Sequence, residues 1–343
     1  MHIFITGGAG FIGSHLVELH LARGDKVHVV DDLSTGSMDN IARFMDLPNF
    51  RFDHADMLIW PQLERTAGWA DRVYHLAAVV GVYRVLAEPT KVLAVNIAAC
   101  ERLLRAVNDS GWKPQVVLAS SSEVYGHNDE DILRETQDLV VSTRVGTRWN
   151  YSVSKIADEA LGLSFARKFD IPTIVARFFN TVGPRQSSRY GMVIPRFIEQ
   201  AVQGQEITVF GNGEQTRSFC DVRDTVTALD SLANFANTEG LVANVGNDRE
   251  ISMNDLASLI MERAGSGAGV KHIPYLQAYG EDFEDIRRRR PALDKLRSLT
   301  GFKHRFTLEN TIDDLIAAQR AKNMEIEHHG NSTVVRHKSK HTA

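Results

Sequence analysis

The strongest constraint in this chain is the segment Thr6-Gly7-Gly8-Ala9-Gly10-Phe11-Ile12-Gly13, which follows the apolar run Ile3-Phe4-Ile5 and leads into a helical pattern. Glycines spaced Gly7-x-x-Gly10-x-x-Gly13 serve a tight turn, a close backbone approach to a pyrophosphate, and close packing of helix on strand. Phe11 and Ile12 then open a helix whose first N–H groups and positive dipole end suit phosphate. A glycine triplet alone makes only a turn. The strand before it and the helix after it give it the context of a dinucleotide loop. Asp31 ends the run His28-Val29-Val30 eighteen residues past Gly13, close to the interval of roughly 20 for an acid that binds the adenosine ribose. A carboxylate there accepts from the ribose hydroxyls and repels a 2′-phosphate, so the expected cofactor is NAD rather than NADP.

Around that loop, β-branched runs at residues 2–5, 27–30, 72–76, 115–119 and 173–178 alternate with helical patterns at 14–23, 92–108 and from near Trp149. Strands separated by helices give right-handed crossovers and a parallel sheet. The expected fold class is α/β, a Rossmann-type doubly wound parallel sheet with a smaller mixed α/β substrate-binding lobe. The texture changes after Gly183-Pro184-Arg185. Residues 1–184 are read as the cofactor domain, 185–323 mainly as the second lobe with some segments returning to the first sheet, and 324–343 as a flexible polar tail. Within the second lobe, 192–203, 224–235 and 252–264 read as helices, the last capped by Ser252 with Asp255 three residues on. Ile207-Thr208-Val209-Phe210 reads as a strand ended by Gly211-Asn212-Gly213, a hairpin-like turn. The tail holds four of the 13 histidines (His328, His329, His337, His341) at irregular spacing, and reads as solvated rather than metal-binding.

Composition narrows the function classes. The 39 basic and 43 acidic residues leave a net charge of -4, which argues against a dedicated binder of nucleic acid or anionic membrane. The densest charge run, residues 287–290, is all arginine without interleaved aromatics, and most of it reads as a solvated face. Cys100 and Cys220 are too few for a disulfide framework and show no metal-ligand spacing, so no metal is expected. With no signal-like start and no apolar run near the ~20 residues of a membrane span, a cytoplasmic enzyme is expected.

Two further segments carry chemistry. Leu118-Ala119-Ser120-Ser121-Ser122-Glu123-Val124-Tyr125-Gly126 stands at the C-terminal end of a strand, where ligands of open α/β sheets bind. In Arg148-Trp149-Asn150-Tyr151-Ser152-Val153-Ser154-Lys155, Tyr151 and Lys155 are four apart and share one helix face. An ammonium nearby, together with a positive nicotinamide, favours phenolate and brings the tyrosine from about 10 toward working pH as a general base. Ser121 or Ser122 can donate to the same sugar oxygen. Alone, such a pair is more often a surface feature and a serine run more often a loop; after a dinucleotide loop they are more specific.

These motifs together resemble the extended short-chain dehydrogenase/reductase family of nucleotide-sugar epimerases, dehydratases and decarboxylases. The likeness spans roughly residues 1–320, and includes Tyr74-His75-Leu76-Ala77-Ala78 and Arg177-Phe178-Phe179-Asn180-Thr181-Val182-Gly183-Pro184. The resemblance implies a UDP-linked sugar as substrate, transient oxidation at the sugar 4-position, and a homodimer through the helices at 92–108 and 154–168. It assigns Tyr151 as base, Lys155 to the nicotinamide ribose, Asp56 to the adenine side, and Asn180, Arg185 and Arg217 to the substrate. Ser122 stands where dehydratases of deoxythymidine-linked sugars carry an acid for the leaving hydroxyl. The Ser122-Glu123 pair, with Arg289 before Arg290-Pro291, looks more like UDP-glucuronate decarboxylases, while 4-epimerisation of a UDP-hexose or UDP-hexuronate and a non-catalytic NAD sensor stand as alternatives.

Overall fold

The computed structural model describes residues 1–128, 130–141, 149–187, 192–235, 239–279, 286 and 288–338, with backbone alone at 82, 239, 279 and from 325 onward. The first half follows the expected alternation: β1 (His2–Thr6), α1 (Phe11–Ala22), β2 (Lys26–Asp31), β3 (Phe50–His54), α2 (Leu63–Trp69) and β4 (Arg72–His75). Then come α3 (Val82–Ala87), α4 (Pro89–Asp109), β5 (Gln115–Ser121), α5 (Trp149–Phe169), β6 (Thr173–Phe178) and β7 (Thr181–Val182). The second half holds α6 (Val193–Val202), β8 (Ile207–Phe210), β9 (Thr216–Ser218), β10 (Cys220–Asp221), α7 (Val222–Ala233) and β11 (Glu239–Val245). It ends with β12 (Glu250–Ser252), α8 (Met253–Ala264), β13 (Val270–Ile273), α9 (Tyr275–Tyr279), α10 (Asp294–Thr300) and α11 (Leu308–Lys338).

Seven strands form one sheet in the order β11-β6-β5-β4-β1-β2-β3, with every neighbouring pair parallel. The alternation of side chains along β1 divides the core. Ile3 and Ile5 pack toward α1 and α7, with Leu16, Val17, Val226 and Leu229. Phe4 packs to the other face with Val73, Leu103 and Leu104, under α2 and α4. The strand order reverses between β1 and β4, and that switch point opens a crevice at the strands' C-terminal ends. β3 and β11 were not anticipated from sequence. β11 lies beyond the change of texture yet pairs in parallel with β6.

The second lobe has its own core, in which Ile194, Phe197 and Ile198 of α6 meet Leu256 and Ile260 of α8 and Ile312 and Ile316 of α11. Ser252 caps α8 as expected, its Oγ accepting from the Asp255 N–H at 3.0 Å. The hairpin does not form. Gly211 and Gly213 do turn the chain, with φ of 74° and 77°, but β8 pairs in parallel with β13 and β9 pairs antiparallel with β12. The Asn254 amide, donating to the Asn212 carbonyl at 3.0 Å, holds the turn against α8 instead. The residues read as a polar tail continue α11 as backbone to Lys338; the side chains of His328, His329 and His337, and residues 339–343 entirely, lie outside the described residues.

Candidate active site

Steric exclusion shapes the glycine loop. Gly7 has φ of +74°, and a Cβ there would stand 2.7 Å from the Ala77 backbone nitrogen. At Gly13 a Cβ would meet the Gly7 carbonyl oxygen at 2.2 Å. No described side chain caps α1 at Gly10, so the first N–H groups of the helix are left for an anion. Asp31 is buried and oriented by backbone: Oδ2 accepts from the Ala9 N–H at 3.0 Å and Oδ1 from the Leu33 N–H at 2.8 Å. Burial raises its pKa and those two N–H groups pull it back. Asp56 Oδ1 accepts from the Leu58 N–H at 2.9 Å, at the far end of the same wall.

From this loop a cleft of about 560 Å³ runs along the switch point to the second lobe. That size suits an organic cofactor and substrate. It is lined by every residue singled out from sequence: the glycine loop with Phe11 and Ile12, Asp31, Asp56, Ser121, Ser122, Glu123, Tyr151, Lys155, Asn180, Arg185, Arg217 and Arg289. Residues more than 280 apart in sequence are thereby brought to one wall.

The serine loop after β5 and the Tyr151–Lys155 pair share one part of the cleft. β5 delivers Ser121, whose Oγ accepts from the Glu123 N–H at 3.2 Å and which lies close enough to Tyr151 to lower its pKa. The Ser152 hydroxyl donates to the Glu123 carbonyl at 2.7 Å, fixing the first turn of α5 against the serine loop. Below it, the Glu159 carboxylate takes both the Arg177 guanidinium (2.7 and 2.9 Å) and the Ser120 hydroxyl at 2.5 Å. The Lys155 ammonium donates to Asp158 Oδ2 at 3.0 Å. Burial opposes its charge, but Asp158 and Tyr151 outweigh burial and lift Lys155 to about 12. Tyr151 differs from the sequence expectation. Burial raises its phenol, Lys155 pulls it down, and the Glu123 and Asp158 carboxylates add to the rise. The chain's own groups therefore leave the phenol above its ordinary value, and the positive nicotinamide that the expectation also invoked comes only with bound NAD.

Toward the second lobe, Arg289 Nη1 donates to Glu123 Oε1 at 2.8 Å, and the Arg289 side chain is only 6% exposed. Its Nε and Nη2 are buried and have no partner among the described residues. Asn180 donates to the Ser218 carbonyl at 3.1 Å. Arg185, expected to face the sugar, is turned to α1 instead: it donates to Ser14 Oγ at 3.2 Å and pairs with Glu18, from a backbone φ of 70°. Arg217 donates to the Thr216 carbonyl at 2.8 Å and lines the second-lobe wall. Arg288 is spent on Glu250 and Asp131, while Arg287 and Arg148 lie outside the described residues.

The profile of the NAD dependent epimerase/dehydratase family matches residues 3–246. The chain belongs to this family. Its cofactor is NAD, and the glycine loop and Asp31 fit that group: a Cβ would fill the cradle, and the carboxylate is already oriented. Among relatives of this NAD-dependent enzyme, a UDP-glucuronic acid decarboxylase 1 of Xenopus tropicalis is 33% identical over 334 residues, 97% of this chain and 75% of that one. A UDP-N-acetyl-alpha-D-glucosaminuronate decarboxylase of Bacillus cytotoxicus is 32% identical over 317 residues, covering 91% and 95%. A UDP-glucose 4-epimerase structure from Thermotoga maritima superposes with a TM-score of 0.84 at 28% identity, covering 94% of this chain and 99% of that one. A UDP-glucuronic acid 4-epimerase from Bacillus cereus, in complex with NAD, gives 0.81 at 25%, with the same coverage.

Sequence reasoning missed part of the enzyme's cleft. Arg196 of α6 lies over the Phe210 ring at 4.0 Å, and Gln215 donates to the Tyr275 hydroxyl at 2.8 Å; all four line the second-lobe wall. Arg196 sits on an amphipathic helix and Tyr275 in a short one, so neither carries a motif. Asp158, the partner of Lys155, did carry a signal: it is seven residues from Tyr151 and three from Lys155, on the same helix stripe.

Proposed function

We propose that this enzyme oxidises a UDP-linked hexuronate at C4 and decarboxylates it, with UDP-glucuronate as the first substrate to test. The observation that carries the reading is Arg289. One end of its guanidinium holds Glu123, while Nε and Nη2, which form one edge, are buried without an acceptor among the described residues. Leaving such donors unmade costs about 1–3 kcal/mol each. A carboxylate matches that edge with two parallel hydrogen bonds, and a neutral hydroxymethyl group does not. The decarboxylase relatives act on substrates that carry this carboxylate.

In the proposed mechanism, bound NAD supplies a hydride acceptor and then a donor at sugar C4. Tyr151 takes the proton of the 4-hydroxyl, and Ser121, beside Tyr151 in the cleft, donates to the same oxygen. Lys155 steadies the developing phenolate and holds the nicotinamide ribose. The C4 ketone places the carboxylate β to a carbonyl, so the C5–carboxyl bond breaks with its electron pair passing into the enolate and carbon dioxide leaving. Arg289 orients the carboxylate before it departs. C5 then takes up a proton, and Tyr151 returns its proton as the ketone is reduced. Ser122 is not an acid for a leaving 6-hydroxyl, which speaks against dehydration.

The same carboxylate site would serve a UDP-glucuronate 4-epimerase, the second reading, which the Bacillus cereus neighbour favours. Incubation with UDP-glucuronate followed by NMR separates them. Carbon dioxide with UDP-xylose or the 4-keto pentose supports decarboxylation; UDP-galacturonate supports epimerisation; no turnover across UDP-hexuronates overturns both. The resemblance also implies pairing of two copies through α4 and α5, which light scattering reads as twice the chain mass.

A further inference from the structure

We propose that Asp158 is a positioning residue that sets the acidity of Tyr151 by holding Lys155 from the side opposite the cleft. Tyr151, Lys155 and Asp158 follow one another at four- and three-residue steps, so one stripe of α5 carries base, ammonium and carboxylate in line. Lys155 and Tyr151 line the cleft and Asp158 does not. The Lys155–Asp158 pair is sealed, with both side chains 4% exposed and 3.0 Å between Nζ and Oδ2. Asp158 Oδ1 makes no hydrogen bond among the described residues, so Lys155 is the one charged partner of the carboxylate there, with the Cys100 thiol close by. Burying a carboxylate and an ammonium costs desolvation energy that their attraction repays only in part.

Its effect follows from charge. An ammonium shared with a carboxylate gives the phenol less help than a lone ammonium would. Asp158 moreover adds its own negative field, one of the influences that keep Tyr151 high. The other groups facing the stripe are His75 from β4, held neutral by burial, Cys100 from α4, whose thiol burial raises, Glu123 beyond β5, and Glu159 on α5 itself, already taken by Arg177. Asp158 is the carboxylate among them that touches Lys155. Tyr151 is thus kept protonated until the positive charge of NAD arrives, which confines the base to the loaded enzyme.

This inference rests on Tyr151 being the base. The test is the pH profile of kcat for Asp158→Asn in the NAD-loaded protein, together with tyrosine 13Cζ NMR of the protein without added substrate, the Tyr151 signal being assigned by Tyr151→Phe. Neutralising Asp158 should move the acid limb of kcat, and the Tyr151 titration, about one unit to lower pH. Asp158→Glu, which keeps the charge, should restore the wild-type limb. Asp158→Ser serves as a second variant should Asn at this buried position not fold, with the same shift expected. An unshifted or raised limb in a folded variant, with Tyr151→Phe inactive, overturns the role of Asp158 alone. Turnover retained in Tyr151→Phe overturns the assignment of Tyr151 itself.

Discussion

At the cofactor end of the cleft, recognition is made of backbone: glycines that admit no Cβ, an uncapped helix start, and an aspartate held by two N–H groups. Toward the second lobe the wall is made of polar and charged side chains: Arg289 on Glu123, Asn180 on the Ser218 carbonyl, and Arg217 on the Thr216 carbonyl. The difference teaches where specificity can drift. Backbone recognition tolerates almost no substitution because the exclusion is steric, whereas a charged wall changes its ligand when one arginine or glutamate changes.

The comparison can be broken in order of expected effect. Tyr151→Phe, between the two ends, should lower turnover by about 10³-fold, the range of general acid–base catalysis, while NAD affinity by calorimetry stays within a few-fold. Equal losses in both would tie Tyr151 to cofactor binding instead. Gly13→Ala should weaken NAD binding by about 100-fold, since the new methyl meets the Gly7 carbonyl at 2.2 Å and the loop must open; near-native affinity would show that the loop is not sterically set. Arg289→Gln should cost about 10- to 100-fold in kcat/KM on UDP-glucuronate, with the affinity for UDP alone changed little. A matching loss of UDP affinity would move Arg289 from the carboxylate to the diphosphate.

The smallest effect concerns acid. His15, His20, His28 and His75 all lie in the cofactor half, and burial holds each below the ordinary 6.5, His75 down to about 3. Their folded values lie below the unfolded one, so the unfolded chain binds more protons under acid conditions. The stability they contribute is complete above about pH 6.5 and is lost as pH falls toward the folded values. Tm should therefore drop by several degrees between about pH 7.5 and about pH 5, and His75→Gln should flatten part of that slope. A flat Tm profile would show that these rings take up protons in place, the Asp25 and Asp53 partners of His20 and His28 serving as their counter-charges.

How much was legible depended on how local each signal is. The glycine loop, Asp31, and the Tyr151–Lys155 spacing are short-range patterns, and each found its place in the cleft. β3 does alternate, as Phe50-Arg51-Phe52-Asp53, but the pattern is short and holds no β-branched residue, so it does not stand out as an apolar run. β11 was hidden for a different reason: its membership in the first sheet depends on a chain reversal after α7, which composition does not record. The hairpin expected at Gly211–Gly213 failed because a turn signal specifies the turn, while pairing is settled by which strands are left without partners. Arg185 stood beside the right motif and turned to Glu18, a half-exposed carboxylate on α1 that a side chain of that length can reach.

The sequence by itself determined the parallel α/β core, the cofactor, and the residue types of the reaction, because these rest on sterics and on spacings within one turn of chain. Only the tertiary structure decided that Arg289, singled out by resemblance, pairs with Glu123, that its Nε and Nη2 find no acceptor among the described residues, and that Lys155 is shared with Asp158. Those facts arise from charges converging from distant segments into a space closed to water, where a single unpaired donor or a single extra carboxylate changes what the site can hold.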